Sequence, residues 1–217
     1  PAGRFLCYGP PANCPEPAEA AGKGPVNFAS FNNLSKVGAE VVATWAATLQ
    51  AAPGLRLLLK SRQLADTALG ERLLAEFAKH GIEAARIELR GRIASRAVHL
   101  ALYREVDIAL DTFPYNGTTT TCEALWMGVP VVTLAGDRHA GRVGVSLLEA
   151  AGFADWIASN EGEYVDTAAR LAADRPPPGE IRSRLASSKL TDARRFTAVL
   201  EAALRGTWRD KCRKSRI

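Results

Sequence analysis

Residues 106–135 read VDIALDTFPYNGTTTTCEALWMGVPVVTLA, and this stretch decides the fold. Its two nearly continuous apolar runs, 106–111 and 131–135, are typical of strands that are covered on both faces of a parallel sheet. Between them lie a polar loop and a short apolar helical segment, 124–128. A strand, a helix and a second strand in this order predict one right-handed crossover of a parallel sheet.

The same alternation continues on both sides of this unit. Further strand candidates are residues 26–31, 55–60, 86–90 and 155–158. Segments with apolar residues at helical spacing separate them, and from residue 163 onward the patterns are helical only. We therefore predict an α/β fold, a doubly wound, Rossmann-like parallel sheet that ends in a helical segment.

Three parts are predicted along the chain. Residues 1–25 are rich in Pro and Gly and predict an irregular connector from an upstream domain, and the first residue, Pro1, indicates a piece of a longer protein. Residues 26–205 are predicted to form the Rossmann-like domain. Residues 206–217 are predicted to form a basic tail.

The net charge of +5 does not indicate a nucleic-acid-binding domain. From residue 205 to residue 217 there are six basic residues and one acidic residue, which account for the whole excess. A domain that binds nucleic acid through its fold needs a basic face. We expect this end to be solvated or to face a partner. The alternative is salt-dependent nucleic-acid binding through the tail.

Composition and cysteine usage narrow the class of protein further. Hydrophobic residues make up 47% of the chain and charged residues 24%, which is typical of a globular protein. No stretch approaches the roughly 20 apolar residues of a membrane span, so we expect no membrane partner. The four cysteines form no CxxC pair and there are only three histidines. This disfavours a zinc site and predicts a reducing, cytoplasmic location.

The loop after the strand at 106–111 is the strongest candidate for chemistry. Gly117 permits a tight turn there, with Asn116 beside it. Thr118–Thr121 offer four hydroxyls and successive backbone N–H groups at a helix N-terminus, which predicts a phosphate site. Because consecutive threonines are poor helix formers, we expect them to line the loop. Glu123 is expected in the first helical turn, facing the same ligand, where it can accept hydrogen bonds from a ribose; the alternative is a plain Thr-rich cap with a first-turn acid.

Two further loops follow strands and open towards the same edge of the sheet. Asn33 and Lys36 follow the first strand, and Lys36 is expected at the start of the next helix, with its ammonium group beside the crevice. Arg96 and His99 are three residues apart after the third strand, hence on one helical face, and the backbone of Ala94 lies at the loop edge. His99 could stack on a base and Arg96 could reach a ribose or phosphate. The alternative is a half-buried histidine that covers the sheet.

These residues carry a resemblance to known enzymes. The spacing of Gly117, Glu123 and Gly128 resembles the donor-site motif of glycosyltransferases with two Rossmann domains, the GT-B architecture. The strings FNNLSKV (31–37) and HLALYREVDIALDTFPYNGTTTTCEALWMGVPVVTLAGDRHAGRVGVSLL (99–148) are similar to the carboxyl-terminal catalytic half of the O-linked N-acetylglucosamine transferase and SPINDLY family. The resemblance covers residues 4–205. It implies the C-terminal half of a GT-B fold, with an amino-terminal catalytic half and acceptor-binding tetratricopeptide repeats upstream.

The resemblance also implies roles for matching residues. Lys36 corresponds to the lysine that binds the donor diphosphate and stabilises the leaving group. Ala94 corresponds to a residue whose backbone reads the base edge, and His99 to the histidine stacked on the base. The other implied donor contacts are Asn33, Thr118, Thr119 and Thr120 at the diphosphate, Arg96 and Glu123 at the ribose, and Asn116 and Gly117 in the same loop. Asn33, Arg96, Thr118 and Glu123 differ from the residues usual at these positions in the family or in its animal members, which leaves the donor open.

Together these inferences predict the donor-binding half of an inverting, metal-independent protein O-glycosyltransferase. It would transfer N-acetylglucosamine from UDP-GlcNAc to Ser or Thr of proteins, without a cofactor or metal, and this part would be inactive alone. The alternatives are SPINDLY-like fucosyl transfer from GDP-fucose, a GT-B enzyme acting on lipid or glycan acceptors, and a non-catalytic nucleotide-sugar-binding or scaffold module.

Overall fold

A parallel sheet forms the centre of the molecule. A computed structural model describes residues 5–18 and 27–214, and within them six parallel strands pair in the order β3-β2-β1-β4-β5-β6. The strands are β1 Asn27–Ser30, β2 Arg56–Lys60, β3 Ile87–Arg90, β4 Ile108–Leu110, β5 Val131–Leu134 and β6 Ile157–Ala158. The predicted doubly wound, Rossmann-like sheet is confirmed.

Helices cover both faces of the sheet, as the apolar character of the strands requires. In the described residues they are α1 Ala39–Ala51, α2 Thr67–Lys79, α3 Arg96–Ala101, α4 Thr119–Trp126, α5 Val143–Ala151, α6 Glu161–Ala173, α7 Pro178–Ala186 and α8 Ala193–Lys214. Trp45 of α1 and Tyr164 of α6 are fully buried against each other, and the Trp45 indole nitrogen donates to the Tyr164 hydroxyl at 3.3 Å. This pair joins two helices that cross the same face.

The strand order reverses between β1 and β4, which lie side by side at the centre of the sheet. The chain leaves β1 towards β2 on one side and leaves β4 towards β5 on the other, so the two loops that follow β1 and β4 separate and open a crevice. Ligands of doubly wound sheets bind at such a reversal, outside the carboxyl ends of the strands. The fold therefore directs attention to residues 31–38 and 111–118.

The segment before the first strand is irregular but is bonded to the domain. Residues 5–18 form no helix or strand, and the Tyr8 amide donates to the Leu190 carbonyl at 2.9 Å, which ties this segment to the end of the domain. The rest of the predicted connector, 1–4 and 19–25, and Val26 of the first strand candidate lie outside the described residues.

The last helix is longer than the sequence predicts. α8 runs from Ala193 to Lys214 and so includes most of the predicted basic tail. Arg and Lys are good helix formers, and the spacing of Leu200, Leu204 and Trp208 continues one helical face beyond residue 205. None of the described residues of α8 is buried, and Trp208 is 67% exposed. No helix in the described ranges combines the length and apolarity needed to cross a bilayer.

Candidate functional site

A buried carboxylate organises the crevice from below. Asp111 follows β4 and is only 2% exposed, and it accepts hydrogen bonds from the amides of Gly117 (2.6 Å) and Thr112 (2.9 Å). It also accepts from the Thr133 hydroxyl at 2.8 Å and the Asn32 side-chain amide at 3.3 Å. Burial raises the pKa of Asp111 to about 6, although these bonds favour the charged form. One side chain thus links the ends of β1, β4 and β5.

The loop between β4 and α4 is fixed from both sides by Asn116. This residue is fully buried, and its amide nitrogen donates to the Thr112 carbonyl at 2.9 Å. Its side-chain oxygen accepts from the Gly144 amide, 3.1 Å away in α5. The main-chain carbonyl of Asn116 accepts a hydrogen bond of 2.8 Å from the Lys36 ammonium group. The loop therefore positions the one lysine that the sequence singled out.

Lys36 lies in a short 3-10 turn, Leu34–Lys36, and α1 begins only at Ala39, so the expectation that Lys36 starts the helix is wrong. The three-residue turn brings the lysine back over the sheet edge. Its Nζ lies 4.0 Å from the centre of the Tyr115 ring, and burial lowers its pKa while the charge of Asp111 opposes that shift. An ammonium group has three donors. With one directed to Asn116, the others are available to an anion.

The Thr-rich segment starts a helix rather than lining a loop. α4 begins at Thr119, so three of the four threonines form its first turn, and that sequence-based expectation is wrong. The Thr120 hydroxyl donates to the Asn32 side-chain oxygen at 3.0 Å, and Thr121 is buried, which offsets the modest intrinsic cost of threonine in a helix. The first intrahelical bond runs from the Cys122 amide to the Thr118 carbonyl. The amides of the first turn thus have no acceptor within α4, and no side chain caps them.

A second cluster lies where α3 meets α4. His99 Nε2 is 3.1 Å from Glu123 Oε2, and His99 Nδ1 is 3.2 Å from the Lys60 Nζ. The imidazole ring packs near Phe31, with 5.7 Å between ring centres. Glu123 is buried and lies in the second turn of α4, not the first as expected, because the helix begins earlier. Arg96 is exposed and its Nη2 is 3.9 Å from Glu123 Oε1.

Lys36 lies against the loop that leads into the Thr-rich turn, and His99, Glu123 and Arg96 form a second group. The Asn33 side chain is bonded to neither group. The Asn33 side chain accepts from the Ser35 amide at 3.0 Å and from the Gln63 side chain, and the residue is exposed. Its neighbour Asn32 is buried and contacts the Thr-rich turn instead. Ala94 is exposed in the loop before α3.

The motifs in the sequence do not predict three residues of the candidate site. They are Asn32, Lys60 and Asp111. Each lies at the carboxyl end of a strand: Lys60 is the last residue of β2, Asp111 follows β4 directly, and Asn32 is two residues beyond β1. A search for polar residues at the ends of buried strands would have found all three.

The described residues contain no group of three or more His, Cys, Asp and Glu side chains arranged to hold a metal ion. The positive charge of the crevice comes instead from Lys36 and from the amino-terminal end of α4, and Lys60 and Arg96 add to it beside His99. Such an arrangement suits an elongated ligand with an anionic middle and a flat ring at one end.

Comparison with known proteins agrees with this geometry. Residues 20–200 match Glycosyl transferase family 41. The chain belongs to glycosyltransferase family 41. This confirms the family predicted from the sequence.

Individual members of family 41 show how much of an enzyme this chain represents. SPINDLY of Oryza sativa subsp. japonica, which is named as a probable UDP-N-acetylglucosamine–peptide N-acetylglucosaminyltransferase, is 43% identical to this chain over 216 residues. The match covers 96% of this chain and 23% of that protein. A Caenorhabditis elegans protein with the same activity in its name is 29% identical over 187 residues, which is 84% of this chain and 16% of that protein.

Solved structures give the same picture. A mutant of the Thermobaculum terrenum O-GlcNAc transferase superposes with a TM-score of 0.86 at 40% identity and covers 95% of this chain and 40% of that chain. A sucrose-phosphate synthase from Thermosynechococcus elongatus, at 14% identity and a TM-score of 0.58 over 86% of this chain and 46% of that chain, shares the fold alone. The chain thus corresponds to a carboxyl-terminal catalytic part of the family 41 architecture.

Proposed function

We propose that this chain is the donor-binding half of an inverting, metal-independent protein O-glycosyltransferase, which transfers N-acetylglucosamine from UDP-GlcNAc to Ser or Thr of acceptor proteins. The observation that carries the proposal is the position of Lys36. Its ammonium group donates to the Asn116 carbonyl, in the loop that leads into the uncapped first turn of α4 at the point where the strand order reverses. The names of the rice, nematode and Thermobaculum relatives supply the sugar and the peptide acceptor.

The diphosphate of the donor is proposed to lie over the first turn of α4. The amides of Thr119–Thr121 and the positive end of the helix dipole would hold its oxygens. Lys36, already bonded to the Asn116 carbonyl at 2.8 Å, would add its remaining donors. Asp111 would act from below by fixing the Gly117 amide, without touching the ligand.

The nucleoside is proposed to lie between α3 and the start of α4. His99 offers the face of its ring to a base, and the backbone of Ala94 borders the same space. Glu123 would accept hydrogen bonds from the ribose hydroxyls, and exposed Arg96 would close the outer side. These assignments follow the family resemblance residue by residue.

The chemistry then follows from where charge develops. An acceptor hydroxyl attacks the anomeric carbon, the bond from that carbon to the diphosphate breaks, and negative charge builds on the departing nucleoside diphosphate. Lys36 and the first turn of α4 would stabilise that charge, and preorganised donors of this kind lower a barrier most effectively where charge develops. Because these groups supply the positive charge, the proposal includes no metal ion. The acceptor groove would belong to the remainder of the full enzyme, since the rice relative is over four times as long. The cytoplasmic location stays a prediction of the sequence.

Calorimetric titration of the chain with UDP, and in parallel with GDP, tests the proposal. We expect saturable UDP binding that weakens about tenfold or more in His99→Ala, the scale of losing one stacked base. His80→Ala is the matched control, because His80 is exposed at the end of α2, and it should bind as the wild type does. A preference for GDP would keep the family and shift the donor to GDP-fucose. If neither the folded chain nor the enzyme with its upstream half binds a nucleotide, the proposal is wrong.

A further inference from the structure

Two close contacts link three ionisable side chains beside α3. The Lys60 Nζ lies 3.2 Å from His99 Nδ1, and His99 Nε2 lies 3.1 Å from Glu123 Oε2. Lys60 comes from the end of β2 and Glu123 from α4, so the histidine is held between two elements other than its own helix. The Lys60 side chain is half-buried and the ring is largely covered.

The donor and acceptor inventory of these groups fixes the position of the ring proton. An ammonium group donates and cannot accept, whereas a carboxylate accepts and cannot donate. Lys60 can therefore bond to Nδ1 only if that nitrogen carries no proton. Glu123 can bond to Nε2 only if that nitrogen carries one. The two contacts together select the neutral ring with its single proton on Nε2.

The surrounding charges make Lys60 the deciding group. Glu123 by itself would favour a second proton on the ring, because a carboxylate stabilises an imidazolium. Arg96 faces the other oxygen of Glu123 at 3.9 Å and is exposed to solvent, and the Tyr103 hydroxyl donates to the Thr120 carbonyl, not to the ring. Burial lowers the pKa of Lys60, and the charge of Glu123 raises it again. The ammonium of Lys60 is thus the group that opposes a proton on Nδ1.

We propose that Lys60 is a positioning residue that holds His99 in the tautomer with its proton on Nε2, and fixes the orientation of the ring, by donating a hydrogen bond to Nδ1. This preorganises an uncharged aromatic face at the edge of the crevice. The consequence for nucleotide binding rests on the proposed function, in which a base stacks on this face. The proton position itself does not.

Nitrogen-15 spectra of the histidine rings test the proposal directly. The chain has three histidines, so His80 and His139 act as internal references, and His99→Ala assigns the third signal. We expect wild-type His99 to carry its proton on Nε2, with Nδ1 an unprotonated acceptor. In Lys60→Met, Nδ1 loses its hydrogen-bond donor, so we expect the nitrogen-15 signals of the ring to move away from those of the wild type and to show a population with the proton on Nδ1.

Two further variants separate the hydrogen bond from general effects. Lys60→Arg keeps a charged donor and should restore the wild-type spectrum, whereas Lys79→Met, at an exposed lysine of α2, should leave it unchanged. A wild-type ring that carries its proton on Nδ1 would overturn the inference without any variant. So would a folded Lys60→Met chain whose His99 ring signals match those of the wild type.

Ligand binding then shows whether the positioning matters to the nucleotide. We expect Lys60→Met to weaken UDP binding about tenfold, the scale of one lost charged hydrogen bond, and to weaken binding of inorganic pyrophosphate much less. An equal loss for both probes would contradict a role on the base side. If the wild type binds neither probe, the proposed function fails, while the ring spectra still decide the role of Lys60.

Discussion

The backbone amide of Gly117 donates a 2.6 Å hydrogen bond to the carboxylate of Asp111, and this single contact aligns the loop that leads into α4. A buried carboxylate directly below a proposed diphosphate site is costly in two ways. It has lost its hydration, which raises its pKa to about 6, and its charge opposes that of the ligand. Its four donors and the nearby charge of Lys36 are what make it tolerable.

The first prediction concerns the pH dependence of stability. The pKa of the Asp111 carboxyl is about 6 in the folded state, above its ordinary value of 3.8, so between these values the folded state binds more protons than the unfolded state. Its contribution to the free energy of unfolding is therefore present at low pH and is lost as the pH rises through about 6. We expect the wild type to lose about 1 kcal/mol from pH 5 to pH 7 relative to Asp111→Asn, measured by urea unfolding.

Asparagine is the right comparison because it is nearly the same shape. Its oxygen can still accept from the Gly117 amide, while its nitrogen can donate to the Thr133 hydroxyl. Parallel stability profiles for Asp111→Asn and the wild type from pH 5 to pH 7 would mean that Asp111 does not titrate in this range. Its charge would then be tolerated better than burial suggests.

The second prediction concerns the space around Gly117. A Cβ atom there would lie 2.8 Å from the Asn32 side-chain oxygen and 3.0 Å from Asp111 Oδ1, and it would also meet the Thr120 hydroxyl. We expect Gly117→Ala to lower the free energy of unfolding by about 1–3 kcal/mol, the usual cost of overpacking. Gly179→Ala in α7, where nothing lies within 4 Å of the added carbon, should be neutral or slightly stabilising. Equal stabilities for the two variants would show that the loop can move aside.

The third prediction concerns transfer in the full-length enzyme. Lys36→Ala should reduce kcat by about 10²–10³-fold, the usual effect of removing one preorganised donor from a developing anion. The domain should still fold, with at most a small fall in thermal stability, because the half-buried ammonium makes one hydrogen bond, to the Asn116 carbonyl, and otherwise lies over the Tyr115 ring. Lys79→Ala, at an exposed lysine paired with Glu76, is the matched control and should transfer normally. Undiminished transfer by Lys36→Ala would remove this residue from the mechanism.

The fourth prediction concerns the buried polar chain under the crevice. Tyr164 accepts from the Trp45 indole at 3.3 Å and donates to the Asp111 carbonyl at 2.9 Å. Tyr164→Phe leaves both partners unpaired in the interior, so we expect it to cost about 1–3 kcal/mol in chemical denaturation. Tyr115→Phe, at a residue that is 54% exposed, should cost much less. If Tyr164→Phe costs as little stability as Tyr115→Phe, water replaces the missing hydroxyl.

The strands and their burial follow from the sequence because nearly continuous apolar runs have few alternatives in an α/β chain. The candidate at 106–111 contains β4, and the candidate at 131–135 contains β5. Helix starts are harder to predict. α4 begins three residues after Asn116 because Thr120 and Thr121 gain tertiary contacts, and intrinsic propensity alone argues against threonine in that turn.

Candidate site residues could be predicted where they stand in a sequence motif. They could not be predicted where their contacts depend on tertiary packing. Lys36, His99 and Glu123 stand in recognisable strings. Lys60 does not, because its meeting with His99 depends on how β2 and α3 pack. The choice between Asn32 and Asn33 likewise depends on the turn after β1, which buries the first amide and exposes the second.

The crevice is held together by contacts between residues that are far apart along the chain. Lys36 and Asn116 are separated by 80 positions, Asn32 and Thr120 by 88, and Trp45 and Tyr164 by 119. During synthesis, a nascent chain cannot complete the crevice until α4 has emerged, and cannot support it from below until α6 has followed. Non-local contacts of this kind slow folding, and the proposed nucleotide would stabilise only the finished domain. Its binding would therefore mark the completion of both synthesis and folding.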